Sequence, residues 1–218
     1  MENYLKLLSS AILISAFILV ANKRVNSYIK TFRLQSILLA LTAGLIGLNN
    51  LFHHGGWEVF LVCIITIAVK VIYIPHLLTN TVKKVEYTVE KDFFVNIPLS
   101  ILICCGLVFL SYFTVPNIHV LQDGFLKLVL VNAIAVVLIG LFFMVSRKKA
   151  IGQMIGFLVI ENGLFTAAIL STEGMPMIVE LGIFFDVLTA ALIMGILVFR
   201  INETFESIDL NQLKNLKG

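Results

Sequence analysis

The sequence predicts an all-α, polytopic membrane protein with seven transmembrane helices, its N-terminus outside and its C-terminus cytoplasmic. Three observations carry this. The 218 residues are 59% hydrophobic and only 13% charged, with a mean hydropathy of +1.01, whereas a soluble domain carries about 25% charged residues. Too few polar side chains remain to cover a water-facing surface. The apolar residues fall in long unbroken runs rather than short alternating ones, which selects helices over a barrel. Lys and Arg gather in alternate connections between the runs, as the positive-inside rule requires.

The runs cover 4–21, 34–52, 57–78, 93–115, 125–145, 150–171 and 177–201. Each is near the roughly 20 residues that cross about 30 Å of hydrocarbon. The first connection holds Lys23, Arg24, Lys30 and Arg33, the third Lys83, Lys84 and Lys91, and the fifth Arg147, Lys148 and Lys149. Arg200, Lys214 and Lys217 follow the last run. The intervening connections hold His53, His54 and Glu58, then Asp123 and Lys127, then Glu173. This alternation orients the chain in the cytoplasmic membrane and agrees with an odd number of spans. The net charge of +3 is thus a topology signal, and no basic, aromatic-interleaved patch for nucleic acid is present. In the first run the cations mostly follow the apolar stretch and no small-residue cleavage site is obvious, so it reads as a retained helix.

The chain divides near Pro116, Asn117, Asp123 and Gly124 into a four-helix part (1–116), a three-helix part (125–201) and a polar tail (202–218). No internal repeat is visible. Cys63, Cys104 and Cys105 lie inside runs, where no disulfide framework is expected. No zinc or iron–sulfur ligand spacing occurs. His76 belongs to the cytoplasmic side and His53, His54 and His119 to the outer side, so no pair is placed to share a haem iron. The seventh run lacks the lysine a retinal Schiff base needs. No nucleophile–base pair or phosphate-binding glycine loop appears. The chain is therefore expected to hold no cofactor and to catalyse no covalent chemistry alone.

Ionisable residues inside the runs are the candidates for function, because such a group costs about 2.5–3.5 kcal/mol at mid-bilayer by insertion scales. Glu161 lies near the middle of the sixth run, in Gln153-Met-Ile-Gly-Phe-Leu-Val-Ile-Glu-Asn-Gly. Gly152 and Gly156 have the small-xxx-small spacing that lets a second helix approach, and Gly163 adds another gap. Desolvation favours the neutral form of a carboxyl there unless a cation lies nearby, and a group balanced in this way suits proton uptake and release. The alternative is a structural acid bonded to a neighbouring helix. Asp186 and Glu180 lie in the seventh run. They are about 9 Å apart along the axis and about 120° apart around it, so they do not share one stripe. Lys70 is the lone cation deep in a run, too far from either end to snorkel. It needs a carboxylate, water or carbonyl partner. Pro75 removes a helix bond and disturbs the carbonyl of Val71, loosening the backbone beside Lys70. Either Lys70 titrates or it serves as a fixed counter-ion to a buried acid. Asn132, Asn162, Gln153 and His76 supply supporting polar groups.

The stretch from Gln153 to Gly163, then Val179-Glu-Leu-Gly-Ile-Phe-Phe-Asp-Val-Leu and Leu192-Ile-Met-Gly-Ile-Leu-Val-Phe-Arg-Ile, resembles the hydrogenase-4 component E family. The tail from Ser207 and the Lys70-to-Pro75 segment resemble it too. The resemblance implies a membrane subunit of group 4 NiFe hydrogenases and formate hydrogenlyase-like complexes, relatives of complex I. It also implies that the last three helices are similar to the K (4L) subunit of complex I and the C subunit of Mrp antiporters, with buried acids in their second and third helices. Glu161 matches the first of these acids, and either Asp186 or Glu180 the second. The partners so implied are antiporter-like membrane subunits, a membrane anchor like the H subunit of complex I, and a hydrogenase peripheral arm. That arm and its neighbours would carry the NiFe centre and iron–sulfur clusters. The expected function is proton or sodium translocation coupled to redox chemistry elsewhere. The alternative is a subunit of a cation/proton antiporter without redox partners.

Overall fold

The computed structural model describes residues 1–54, 58–85, 95–115 and 124–171, and it is helical through nearly all of these stretches. Helix α1 is Glu2–Ala21, α2 is Val25–His54 and α3 is Glu58–Thr66. A π-helical segment, Ile67–Tyr73, joins α3 to α4, Ile74–Val85. Then follow α5 (Ile97–Thr114), α6 (Gly124–Ser146) and α7 (Ala150–Ser171). Six candidate membrane spans lie among the described residues: α1, most of α2, the α3–π–α4 unit, α5, α6 and α7. The expected seventh span, with Glu180 and Asp186, and the 202–218 tail lie outside the described residues, as does the whole 116–123 connection with His119.

Local chemistry accounts for the ends. Glu2 sits in the first turn of α1, where the helix dipole favours an acid. Lys6 approaches it at 4.0 Å one turn on. At the other end Asn22 turns to extended backbone (φ −91, ψ 155), and its Nδ2 donates back to the carbonyl of Ile18 at 2.7 Å. Asn96 precedes α5, and Pro98 occupies the first turn, where a missing N–H costs little.

Several expected helix ends need correction: His53 and His54 belong to α2, Glu58 to α3, Lys83 and Lys84 to α4, and Lys127 to α6, rather than to connections. The second helix starts at Val25, not at residue 34, so Lys30 and Arg33 belong to α2 rather than to a connection. At 30 residues it is about 45 Å long, longer than the hydrocarbon layer. Its charged first turns therefore project beyond the apolar stretch instead of ending the helix. Arg147 does lie in the connection between α6 and α7, but it is buried at 2% exposure.

Helices α1, α2, α7 and α6 pack pairwise in a closed ring. Helix α5 lies outside against α6 and α1, and the α3–π–α4 unit lies outside against α2. The tightest seam is α6 against α7, and glycine makes it possible. A Cβ on Gly156 would stand 2.8 Å from the Met144 Cα, and one on Gly140 would stand 2.9 Å from the Ile160 backbone nitrogen. Further along, a Cβ at Gly163 would meet the Val137 nitrogen at 3.0 Å. Backbones this close maximise dispersion contacts, which drive helix association in lipid, where apolar burial does not. Around the seam the core is filled by Tyr28, Phe32, Phe143, Leu39, Ile139 and Leu158, all below 2% exposure. Tyr28 and Phe143 meet edge to face at 5.1 Å.

Candidate functional site: a buried ion pair on an amide line

Lys70 and Glu161, far apart in the chain, meet inside the bundle. Lys70 sits at the centre of the π segment Ile67–Tyr73. Pro75, two residues beyond that segment, has no N–H to offer the Val71 carbonyl, and its ring crowds that carbonyl. The chain accommodates this with wider turns, in which the Ile74 N–H reaches back five residues to the Val69 carbonyl. Such a bulge changes which way the side chains on either side of it face. Here it leaves Lys70 and Val71 buried while Ile72 and Tyr73 face outward.

The Lys70 Nζ stands 3.2 Å from Glu161 Oε1. It also donates to the side-chain oxygen of Asn162 at 3.2 Å and lies 5.4 Å from the centre of the Phe165 ring. Lys70 is 1% exposed and Glu161 8%. The polar contacts continue across the ring of helices. Asn162 Nδ2 donates to Gln35 Oε1 of α2 at 3.1 Å, and Gln35 Nε2 donates to the Ile12 carbonyl of α1 at 3.4 Å. Ser15 Oγ donates to the same carbonyl at 2.6 Å. The Thr166 hydroxyl donates to the Asn162 backbone carbonyl at 2.7 Å, placing a second polar group on that face of α7. A buried charge is tolerated when it is paired and hydrogen-bonded. The Lys70 ammonium meets both conditions, with Glu161 as its counter-charge and Asn162 as a further acceptor.

Of the sequence candidates, then, Lys70, Glu161 and Asn162 meet in one cluster. The others do not join it. Asn132, on α6, donates to Ser9 at 3.1 Å and Ser10 at 3.3 Å, tying α6 to α1. Gln153 donates to the Arg147 carbonyl at 3.1 Å and closes the turn between α6 and α7. His76 is exposed and pairs with Asn80 at 2.9 Å on α4. Glu180 and Asp186 fall outside the described residues.

Besides the serines and threonine above, Gln35 and Arg147 are polar residues at work inside the bundle that are not among the sequence candidates. By sequence, Gln35 stands at the edge of its run, because Lys30 and Arg33 cut that run short. In the fold it lies ten residues into α2, about 15 Å along the axis. Arg147 has the sequence signature of a loop charge. Its guanidinium covers the Phe143 ring at 4.4 Å and the Tyr28 ring at 5.2 Å, and donates to the Val20 carbonyl at 3.1 Å. It therefore fastens the α6–α7 turn to the last turn of α1. A cavity of about 700 Å³ lies where α1 begins, lined in part by Glu2, Lys6, Asn49, Asn50 and Phe125. Neither Lys70 nor Glu161 lines it. Among the described residues, no group of three or more His, Cys, Asp or Glu side chains is close enough to hold a metal ion.

No protein-family model matches the chain, and no solved structure matches it. Curated relatives do. The uncharacterized protein Rv0085 of Mycobacterium tuberculosis is 35% identical over 156 residues, covering 71% of this chain and 70% of its own. Hydrogenase-4 component E of Escherichia coli K12 is 28% identical over 149 residues, covering 68% of this chain and 69% of its own. The Shigella flexneri component E matches over the same extent. The chain belongs to one family with the mycobacterial protein and is homologous to hydrogenase-4 component E.

Proposed function

We propose that the chain is a non-catalytic membrane subunit of a hydrogenase-like complex, and that its Lys70–Glu161 pair handles a proton or sodium ion in step with redox chemistry in other subunits. The observation that carries this is the ion pair itself: an ammonium and a carboxylate 3.2 Å apart inside the helix bundle, in a homologue of a hydrogenase component. Charged groups at membrane depth are rare and mark ion or proton pathways, and a broken helix beside them is the form such pathways take. A proton reaching Glu161 neutralises its carboxylate and removes the counter-charge of Lys70. The ammonium is then attracted to the next available anion, and its return expels the proton. Glu180 or Asp186 supplies that next acid in this reading, in a three-helix part, 125–201, that resembles the K subunit of complex I. The N-terminus would face outward and the 202–218 tail the cytoplasm. The partners would be antiporter-like membrane subunits, a membrane anchor like the H subunit of complex I, and a peripheral arm holding the NiFe and iron–sulfur centres.

Glu161→Gln in the native complex tests the reading. Membrane vesicles would be energised with the complex's electron donor, and ion uptake and redox turnover measured together. The expected result is an assembled complex whose ion uptake per turnover falls at least tenfold. Uptake per turnover equal to the parent would overturn the assignment. Companions that include antiporter subunits but no hydrogenase subunits would replace it with the antiporter alternative.

A further inference from the structure

The amide line beside the ion pair has a forced polarity. An ammonium only donates hydrogen bonds and a backbone carbonyl only accepts them. Lys70 stands at one end and the Ile12 carbonyl at the other. Between them lie two side-chain amides, each with one accepting and one donating end. One orientation satisfies all three links: Nζ to Asn162 Oδ1, Nδ2 to Gln35 Oε1, and Nε2 to the Ile12 oxygen. Turning Asn162 over would set N–H groups against Lys70 and oxygen against oxygen at Gln35. Turning Gln35 over would do the same at Asn162 and Ile12. Each bond thus polarises the next in one direction, which strengthens the line as a whole.

We propose that Gln35 is a positioning residue. Through Asn162 it aims the Lys70 ammonium at Glu161, and the line it completes carries no proton towards α1. Primary amides neither take up nor release protons near neutral pH, and the line ends on a carbonyl that has no proton to pass on. The described groups that α7 and α2 turn towards the Lys70 ammonium fit this role. Helix α7 offers Glu161 and the Phe165 ring as well as Asn162, and α2 offers the neutral Gln35 behind Asn162. Among these described groups on α7 and α2, Glu161 is the titratable one. Along the amide line the side towards α1 is therefore an insulated brace, and exchange at Glu161 uses another direction. The inference rests on the ion-handling reading for its purpose, though not for its geometry.

The test uses the full chain in lipid nanodiscs. In Gln35→Met the side chain keeps its volume and loses both bonds. The infrared carboxylate and carboxyl bands of Glu161, identified by their loss in Glu161→Gln, are followed against pH. The expected result is a titration midpoint displaced by about half a pH unit or more, with helix content and thermal midpoint retained. An unmoved midpoint in a folded variant would overturn the proposal. Should Gln35→Met not fold, Lys70→Met in asparagine- and glutamine-labelled protein reads the line from its other end. The side-chain amide resonances of both Asn162 and Gln35 should shift together, and a shift confined to Asn162 would overturn it. A Glu161→Gln complex that still pumps would remove the transport reading while leaving these spectra unaffected.

Discussion

Removing one member of the buried pair should destabilise the protein more than removing both. At 3.2 Å the attraction is about 5 kcal/mol with an effective dielectric constant near 20. Taking each ion out of water costs several kcal/mol, so the intact pair is worth little net. Deleting a single partner leaves the other charge uncompensated, and the typical loss is about 3–5 kcal/mol. Lys70→Met also strips Asn162 Oδ1 of its donor, which adds about 1–3 kcal/mol for a buried acceptor. Protonation of Glu161 limits the total, so about 3–5 kcal/mol is expected overall. For a chain of this size about 2–4 °C of unfolding midpoint corresponds to each kcal/mol, giving a fall of roughly 6–20 °C. In Lys70→Met/Glu161→Gln neither charge remains and only the Asn162 acceptor stays without its donor, so the midpoint should recover to about 2–12 °C below the parent. The measurement is thermal unfolding of detergent-solubilised protein, with the three variants and the parent forming a double-mutant cycle. If the double variant is as unstable as the sum of the singles, the two charges do not interact and the ion pair is not what holds them in the membrane.

Further outcomes follow from the packing. Gly156→Ala drives a Cβ to 2.8 Å from the Met144 Cα and should lower the unfolding midpoint by an amount corresponding to about 1–3 kcal/mol. Gly106→Ala has no atom within 4 Å of the new methyl and should leave the midpoint unchanged or raise it by up to about 1 kcal/mol equivalent; thermal scans of the two variants separate the seam from the open face. Arg147→Lys keeps the charge but loses the planar face that covers Phe143 and Tyr28, so it should lose about 2 kcal/mol, and a midpoint equal to the parent would show that charge alone suffices. Pro75→Ala restores an N–H for the Val71 carbonyl and removes the reason for the π segment; the Lys70–Glu161 coupling energy from the cycle above should drop at least by half.

How much of this is legible in the sequence depends on the solvent that each residue faces. Lys70 and Glu161 stand out because a charge inside an apolar run has no cheap solution in lipid, and both lie at mid-run depth. That they face each other is not legible, because hydrophobic periodicity carries no facing information when lipid is as apolar as the core. Only small and polar residues distinguish one side of such a helix from another. Gly156 and Gly163 do so for α7, and Pro75 points to the disturbed backbone at Val71 without specifying a π segment. Gln35 and Arg147 are hidden for the opposite reason. Nearby charges make their surroundings read as aqueous, which ends a run too early in one case and implies a solvated turn in the other. Yet α2 carries its helix through Lys30 and Arg33, and Arg147 finds rings and a carbonyl in place of water. Charge near a membrane boundary therefore marks where the chain leaves the apolar layer, not where its helix ends or which of its cations remain hydrated. The residues lost to that confusion are the ones that connect one helix to another.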